Sequence, residues 1–237
     1  MNTEKNSYIF IYSTIMVLVI AAALTVVALQ LKPAQENNIR IEKMQNILQS
    51  VKIPSTPKDA ETIYKEKITE TFVINTQGNI VEGKNAFDIN LADELKKEND
   101  AERLFPVFVC SPNKNDTVKY FIVQLRGKGL WGPIWGYMSF NADLNTVYGC
   151  MFDHKGETPG LGAEINTAVF QSQFVGKKIF DENNKFVSIA TVKGGTKDDD
   201  PHGVDAISGG TITSKGLEAM IYDCLKAYEL YLTNNKK

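Results

Sequence analysis

The sequence predicts an α+β protein, in which a single N-terminal transmembrane helix precedes one α+β domain with a largely antiparallel sheet. Residues 6–30 contain no charged side chain. Short apolar runs separated by turn-forming residues follow between residues 71 and 193 and are typical of strands. Apolar residues then recur at helical spacing from Leu217 to Leu232, which predicts a terminal helix. With 237 residues, the chain is long enough for one sizeable domain beside the membrane segment.

Composition argues against several classes of function. The net charge is −2, and because nucleic-acid phosphates demand a basic patch, we expect no nucleic-acid partner. The three cysteines, Cys110, Cys150 and Cys224, include no Cys-x-x-Cys pair, and the two histidines lie 48 positions apart. We therefore expect no metal site. All three cysteines are interpreted as structural, and a disulfide between Cys110 and Cys150 stays open if the domain faces an oxidising compartment.

The N-terminal apolar segment is predicted to be an uncleaved membrane anchor. As a helix, the 22 residues 8–29 span about 33 Å, enough to cross the core of a bilayer. A cleavable signal peptide is the competing interpretation, but the apolar region of a signal is only about 7–15 residues long. We predict an anchor over residues 1–32, a juxtamembrane helix and linker over 33–57, and the main domain over 58–237. Charge counting around the segment, used alone, places the main domain inside the cell.

The elements that follow the apolar segment are predicted from apolar patterning and turn signals. After Pro33, apolar residues at three- and four-residue steps predict a short amphipathic helix over residues 36–51. Asn90 is a candidate N-cap of a charged helix that runs to Lys97. The predicted strands are a hairpin of residues 71–75 and 80–81, followed by 105–110, 118–125, 138–142, 147–153 and 186–193, whereas residues 169–175 suit either a helix or a strand.

Residues 126–137 join two of these strands and are predicted to form an irregular loop, because they contain four glycines and a proline. The same stretch holds Trp131 and Trp135, the two tryptophans of the chain. Large aromatic side chains commonly fill a core beneath a loop. The alternative interpretation is that they form a wall against a flat heteroaromatic ring, or a face for a partner protein of a membrane complex.

A second glycine-rich stretch reads His-Lys-Gly-Glu-Thr-Pro-Gly-Leu-Gly over residues 154–162. Its proline and glycines expose backbone amides, and its acidic and hydroxyl side chains suit the polar edge of a ligand's ring. Taken singly, the same residues are typical of a solvated turn. The acidic run from Asp198 to Asp200 is interpreted as an exposed turn. The candidate ligand contacts in the 154–162 stretch are Glu157, Thr158, Gly160, Leu161 and Gly162.

Residues 205–214 read Asp-Ala-Ile-Ser-Gly-Gly-Thr-Ile-Thr-Ser and lead directly into the predicted terminal helix. The first turn of a helix carries unpaired backbone N–H groups and the positive end of the helix dipole, which together suit a phosphate group. Ser214 is a candidate N-cap for this helix. An ordinary capped turn is the plain alternative, since glycine and hydroxyl residues gather at turns.

Three stretches carry a resemblance to a known family. Residues 205–211 fit the Asp-x-x-Ser/Thr-Gly-Ala-Thr pattern of flavinylated proteins, with Gly210 in place of the usual alanine. The 126–137 stretch is similar to the family's Gly-x-Gly-Leu-Trp-Gly segment, and residues 154–162 to its His-x-Glu-Thr-Pro-Gly-Leu-Gly signature with one extra residue. The chain thus resembles the C subunits of sodium-translocating NADH:quinone oxidoreductases, with the related G subunits of Rnf complexes as the nearest alternative.

The resemblance implies FMN joined through a phosphodiester to Thr211, installed by a separate flavin transferase. It also implies an electron relay to a second protein with covalent FMN, inside a sodium-exporting complex of the bacterial inner membrane, with the main domain on the periplasmic side. A membrane-tethered module that binds a phosphate-bearing ligand reversibly is the competing hypothesis, and a tethered hydrolase a weaker one. The further residues assigned to the cofactor are Asp205, Ser208, Gly209, Gly210, Thr213, Ser214, Trp131 and Trp135, beside the 154–162 contacts.

Overall fold

The structure, a computed structural model, describes residues 5–112, 118–197 and 199–236. Within these residues, helices and strands form an α+β arrangement, as predicted. The helices are α1 (Asn6–Ser50), α2 (Ala60–Lys67), α3 (Leu91–Glu94), α4 (Ala168–Ser172) and α5 (Thr211–Asn235). The strands are β1 (Ile68–Asn75), β2 (Ile80–Val81), β3 (Leu104–Cys110), β4 (Tyr120–Lys128), β5 (Pro133–Phe140), β6 (Val147–His154), β7 (Ala190–Val192) and β8 (Gly203–Asp205).

Six strands form one antiparallel sheet in the order β2-β1-β3-β4-β5-β6, so the predicted antiparallel sheet is confirmed. Strands β7 and β8 form a separate parallel pair. The register of the central strands places Arg126 opposite Trp135 and Gly127 opposite Ile134. This pairing fixes the short connection between β4 and β5, residues 129–132, at one end of the sheet.

Side chains alternate between the two faces of the sheet along β4 and β5, so a separate buried cluster lies on each face. Leu125 and Ile134 belong to the buried cluster that contains the apolar side of α5. Ile122 and Tyr137 belong to a second cluster, which contains Ile47 from the end of α1. Burying one such side chain contributes about 1.5–3 kcal/mol, so each face holds its helix by apolar packing. The first turn of α5 therefore lies on the first face, beside the end of β4.

One helix among the described residues is long and apolar enough to cross a membrane, and it is α1. None of its apolar window is buried against other parts of the chain. The predicted short helix over residues 36–51 is not a separate element, because α1 continues through Pro33 to Ser50. The compact folded unit begins at Met44, within this helix.

The prediction of an irregular loop over residues 126–137 is wrong for most of that stretch. Strand β4 continues to Lys128, and β5 starts at Pro133. Proline at the first position of a strand removes only a donor that need not be paired. Several glycines here are close-packing residues: a Cβ on Gly127 would lie 2.5 Å from Cβ of Met220 on α5. Gly127 thus reflects the close approach of a helix to a strand, and Gly136 the close approach of β6, where its Cβ would meet the backbone oxygen of Met151.

Two smaller predictions also need correction. Asn90 does cap a helix, accepting a 3.1 Å hydrogen bond from the amide of Ala92, but α3 ends at Glu94 and does not reach Lys97. The predicted strand over residues 186–193 is reduced to β7, because Ser188 has a φ of 64° and breaks the extended run. The undecided 169–175 stretch contains the short helix α4. The predicted acidic turn at 198–200 includes Asp198, which lies outside the described residues.

The three cysteines are buried and free. Cys110 lies on β3 and Cys150 on β6, with β4 and β5 between them. Three strand spacings of about 4.8 Å separate them by about 14 Å, whereas a disulfide needs Cα atoms within about 7 Å. The disulfide left open by the sequence is therefore excluded.

Candidate functional site

The N-terminus of α5 is the centre of the site. The helix begins at Thr211 with Gly210 as its N-cap, so the prediction that Ser214 is the N-cap is wrong. Ser214 instead fastens the preceding turn: its Oγ accepts a 3.0 Å hydrogen bond from the Ile207 amide and donates one of 3.0 Å to the Gly210 carbonyl. The amide of Ser214 donates to the same carbonyl at 2.9 Å and so closes the first helical turn. The amides of residues 211–213 precede that bond and have no partner within the helix.

The hydroxyl groups of this segment differ sharply in accessibility. Thr211 is exposed at the first helical position. Thr213 is only 2% exposed and donates its hydroxyl to Glu157, while the buried hydroxyl of Ser214 is committed to the turn. An external group can therefore reach the Thr211 hydroxyl without breaking an internal hydrogen bond of Thr213 or Ser214.

Glu157 connects three separate segments of the chain. One carboxylate oxygen, Oε1, accepts a 2.9 Å hydrogen bond from the backbone amide of Trp131. The other, Oε2, accepts a 2.5 Å hydrogen bond from Oγ1 of Thr213 on α5. The side chain is buried, and the amide of Glu157 donates to Nδ1 of His154 at 3.1 Å. The 129–132 connection, the 154–162 stretch and the start of α5 are thus held together by one carboxylate.

Two glycines make room for this carboxylate. A Cβ on Gly129 would lie 2.5 Å from Oε1 of Glu157, and a Cβ on Gly162 would lie 2.5 Å from Oε2. Any larger residue at either position would push the carboxylate away from its hydrogen-bond donors. The position of Glu157 is therefore fixed by its neighbours on both sides.

These segments enclose a cleft of about 370 Å³. Its floor is polar at Glu157 and at the helix start, and its rim is apolar. Trp131 is 69% exposed and Ile212 is 61% exposed, with Leu130 and Leu161 also exposed beside them. The residues that line the cleft are Leu130, Trp131, Glu157, Thr158, Leu161, Gly162, Gly209, Gly210, Thr211, Ile212 and Thr213.

Several residues assigned to the cofactor from the sequence do not line the cleft. Asp205 accepts a 2.6 Å hydrogen bond from the amide of Thr196 and so organises the loop before it. Ser208 is exposed in the turn ahead of the helix, and Gly160 turns its own stretch with a φ of 72°. Ser214, which fastens the turn, and Trp135 also lie outside the cleft.

Trp135 lies on the opposite face of the sheet from α5. Its neighbour Ile134 belongs to the core beneath α5, and side chains alternate along a strand. The guanidinium of Arg126 lies 5.5 Å from the centre of the Trp135 ring, as expected for cross-strand partners. Of the two tryptophans, Trp131 is the one that lines the cleft.

Sequence reasoning missed Leu130 and Ile212, both of which line the cleft. Ile212 follows Thr211 and lies on the solvated side of α5. An apolar residue at such a position departs from the usual pattern of an amphipathic helix, and this departure was the signal available in the sequence. His154 is not among the predicted contacts, yet its Nδ1 accepts a 3.1 Å hydrogen bond from the amide of Glu157. No group of three or more potential metal ligands occurs within the described ranges.

The cleft fits an anionic group joined to an aromatic ring. The free amides at the start of α5 and the helix dipole favour a phosphate next to Thr211. The exposed side chains of Trp131, Leu161 and Ile212 offer apolar contact to a flat ring, and large apolar residues grouped in this way are typical of ligand sites. A larger cavity of about 820 Å³ lies elsewhere, beside residues 223–227 of α5, and shares no lining residue with the cleft.

Comparison with known proteins gives three further observations. Residues 129–226 match a family model described as the FMN-binding domain. The C subunit of the Na(+)-translocating NADH-quinone reductase from Vibrio vulnificus (strain YJ016) is 32% identical over 213 residues, which covers 85% of this chain and 83% of that protein. The crystal structure of the C subunit from Parabacteroides distasonis is 43% identical, with a TM-score of 0.77, and the match covers 86% of this chain and 97% of that one.

Proposed function

The chain belongs to the family of the C subunits of Na(+)-translocating NADH-quinone reductases, and we propose that it carries FMN covalently on Thr211 and passes electrons within that membrane complex. As a member of this family with an FMN-binding domain, it is an FMN-binding subunit of the reductase. The covalent bond, the acceptor residue and the relay role are the proposal. The Vibrio and Parabacteroides relatives are both C subunits of this reductase, which favours the family over the G subunits of Rnf complexes.

One observation carries the assignment of Thr211. Among the hydroxyl residues that line the cleft, Thr211 combines exposure with a place at the first position of α5, whereas Thr213 is buried and bound to Glu157. A phosphodiester on Thr211 would place its single negative charge against the free amides of the first turn. The short linkage would leave the ring within reach of Trp131 and Leu161.

Bound FMN supplies electron transfer, and the chain supplies its position and surroundings. The exposed side chains of Trp131, Leu161 and Ile212 would cover one face of the bound ring and shield it from water. Thr158 and Glu157 offer polar contacts at its floor. The partly exposed rim would leave a path for electrons to and from a partner, including a second protein of the complex with covalent FMN.

Attachment of FMN would need a separate flavin transferase. A threonine hydroxyl is a weak nucleophile unless a base activates it. Within the described part of the cleft, both carboxylate oxygens of Glu157 already accept hydrogen bonds. The exposed position of Thr211 at a helix start gives such an enzyme access to the hydroxyl.

We also propose that α1 anchors the protein in the bacterial inner membrane and that the main domain lies on the periplasmic side. Residues 6–30 of α1 lack charge, and its apolar window is unburied. We keep the proposed division into an anchor, residues 1–32, a linker, 33–57, and a cofactor domain, 58–237, with the part of the linker from Met44 onward belonging to the same compact unit as the domain. A bond that prevents dissociation would serve a cofactor in a space that contains no free FMN.

Denaturing electrophoresis tests the proposal directly. The full chain is co-expressed with a flavin transferase, and the gel is viewed under ultraviolet light before staining. We expect a fluorescent band for the wild type, a retained band for Thr211→Ser, which keeps a hydroxyl, and no band for Thr211→Val. A wild-type protein that shows no fluorescent band would instead support reversible binding of a phosphate-bearing ligand.

A further inference from the structure

The buried carboxylate of Glu157 has no cationic partner among the described residues. It is 5% exposed, and its two oxygens accept hydrogen bonds from the Trp131 amide and the Thr213 hydroxyl. An ionised acidic side chain only accepts hydrogen bonds, and the N–H and O–H donors at its two oxygens suit that form. Neither donor carries a charge. The two hydrogen bonds therefore hold the carboxylate of Glu157 in position but do not neutralise its negative charge.

This charge lies at the floor of the cleft. Glu157 and Thr211 line the same space, and Thr213, which binds Glu157, is two positions after Thr211 on α5. Gly129 and Gly162 enclose the carboxylate, so it cannot swing away from the cleft without losing both donors. In a partly buried site, a fixed charge acts over several ångströms with less screening than in water.

We propose that Glu157 holds the reduction potential of the bound FMN low. This inference rests on the proposed function. One-electron reduction of bound FMN, at the expense of a redox centre of a partner protein that is oxidised by one electron, would add negative charge in the cleft that Glu157 lines. The carboxylate opposes that added charge and thus disfavours reduction. The protein thereby makes its FMN a stronger reductant toward the next centre.

The test is a spectroelectrochemical titration of the full-length, flavinylated protein in detergent, with redox mediators and dithionite as the reductant. Glu157→Gln removes the charge and keeps the size of the side chain. We expect the midpoint potential of Glu157→Gln to be higher than that of the wild type by at least about 59 mV. This shift corresponds to a tenfold change in the equilibrium constant of one-electron reduction. Glu182→Gln removes one charge from an exposed turn and is expected to leave the potential unchanged.

Thr213→Val separates charge from packing. It removes a hydroxyl donor but leaves the carboxylate, so the charge is less compensated and the potential should fall. A loosened cleft would instead move the potentials of Glu157→Gln and Thr213→Val in the same direction. If Glu157→Gln does not fold, Thr213→Val decides alone: a potential that is unchanged or higher overturns the inference.

Different results would contradict the proposed function and the proposed role of Glu157. Wild-type protein without a fluorescent band contradicts the proposed function before any titration begins. A flavinylated Glu157→Gln variant whose potential equals that of the wild type overturns the role of Glu157 and leaves covalent FMN intact.

Discussion

Oγ1 of Thr213 donates a 2.5 Å hydrogen bond to Oε2 of Glu157, 56 positions earlier in the chain. The contact joins the first turn of α5 to the stretch that follows β6. Because the other oxygen of Glu157 binds the Trp131 amide at 2.9 Å, this one side chain sets the distance between both walls of the cleft. The shape of the site thus depends on a buried polar link and not on the helix alone.

Replacing Thr213 with valine tests the strength of this link. The variant keeps the shape of the side chain but leaves a buried carboxylate oxygen without its donor. We expect the free energy of unfolding to fall by about 1–3 kcal/mol. Urea denaturation of the flavin-free chain in detergent, followed by near-ultraviolet circular dichroism, measures the change. Thr211→Val removes an exposed hydroxyl and should change stability by less than about 0.5 kcal/mol; equal losses in the two variants would contradict this account.

The packing of α5 on β4 predicts a second stability effect. A Cβ on Gly216 would collide with the backbone oxygen of Lys128 and lie 3.4 Å from Cα of Gly129. Strand backbone cannot yield as a flexible side chain does, so Gly216→Ala should destabilise the protein by about 1–3 kcal/mol, although alanine favours a helix. Gly156→Ala is the control, since no heavy atom lies within 4 Å of its added Cβ. Thermal melting that ranks Gly156→Ala as the more harmful change would refute the packing model.

Local pattern was enough to predict much of the fold. The hairpin at residues 71–81 and the strands that begin near Leu104 and Val147 follow from apolar runs and turn residues. The local pattern predicts a loop around Gly127, but this glycine makes room for Met220 of α5, which comes 93 positions later in the chain. Ser188 delays the start of a predicted strand, because it has a positive φ that its residue type does not reveal.

The site shows the same division. The residues at 157–162 and 209–213 were assigned from motifs, and the fold brings most of them to one cleft. Asp205 belongs to the same motif but does not line the cleft. It accepts a hydrogen bond from the amide of Thr196 in the preceding loop. Trp135 was grouped with Trp131 by sequence proximity, but strand alternation sends it to the other face of the sheet. Tertiary contacts, which the motifs do not encode, decide which residues face the cleft.

The cysteines should be unreactive until the protein unfolds. Burial raises the pKa of the Cys110 thiol to about 11 and that of Cys224 to about 12, and Cys150 is buried as well. The reactive thiolate is therefore scarce at pH 8. We expect maleimide to add no label to the native chain and three labels after unfolding without reductant, as counted by intact mass. A single label after unfolding would reveal a disulfide and contradict the strand spacing.

Asp143 predicts a dependence of stability on acid pH. Burial raises its pKa, but hydrogen bonds from the Thr146 hydroxyl and from the amides of Thr146 and Asn145 outweigh this effect and hold the pKa below the ordinary 3.8. Because the pKa of Asp143 is lower in the folded than in the unfolded state, its ionised carboxylate stabilises the fold at pH values above the unfolded pKa. This contribution is lost as the pH falls through the folded pKa.

We therefore expect Asp143→Asn to be less stable than the wild type at pH 7, by about 0.5–1.5 kcal/mol. The difference should shrink as the pH falls below about 4, the region of the unfolded pKa. Urea unfolding at a series of pH values measures it. A difference that stays constant from pH 7 to pH 3 would show that the charge of Asp143 has no part in stability.

Intact-mass and peptide mass spectrometry of the unfolded chain test the central claim most directly. The protein is purified after co-expression with a flavin transferase, denatured, and compared with Thr211→Val prepared in the same way. We predict one added FMN on the wild type, located on the peptide that contains Thr211, and none on the variant. An FMN-sized addition that persists in Thr211→Val, or a wild-type chain without it, would contradict the account.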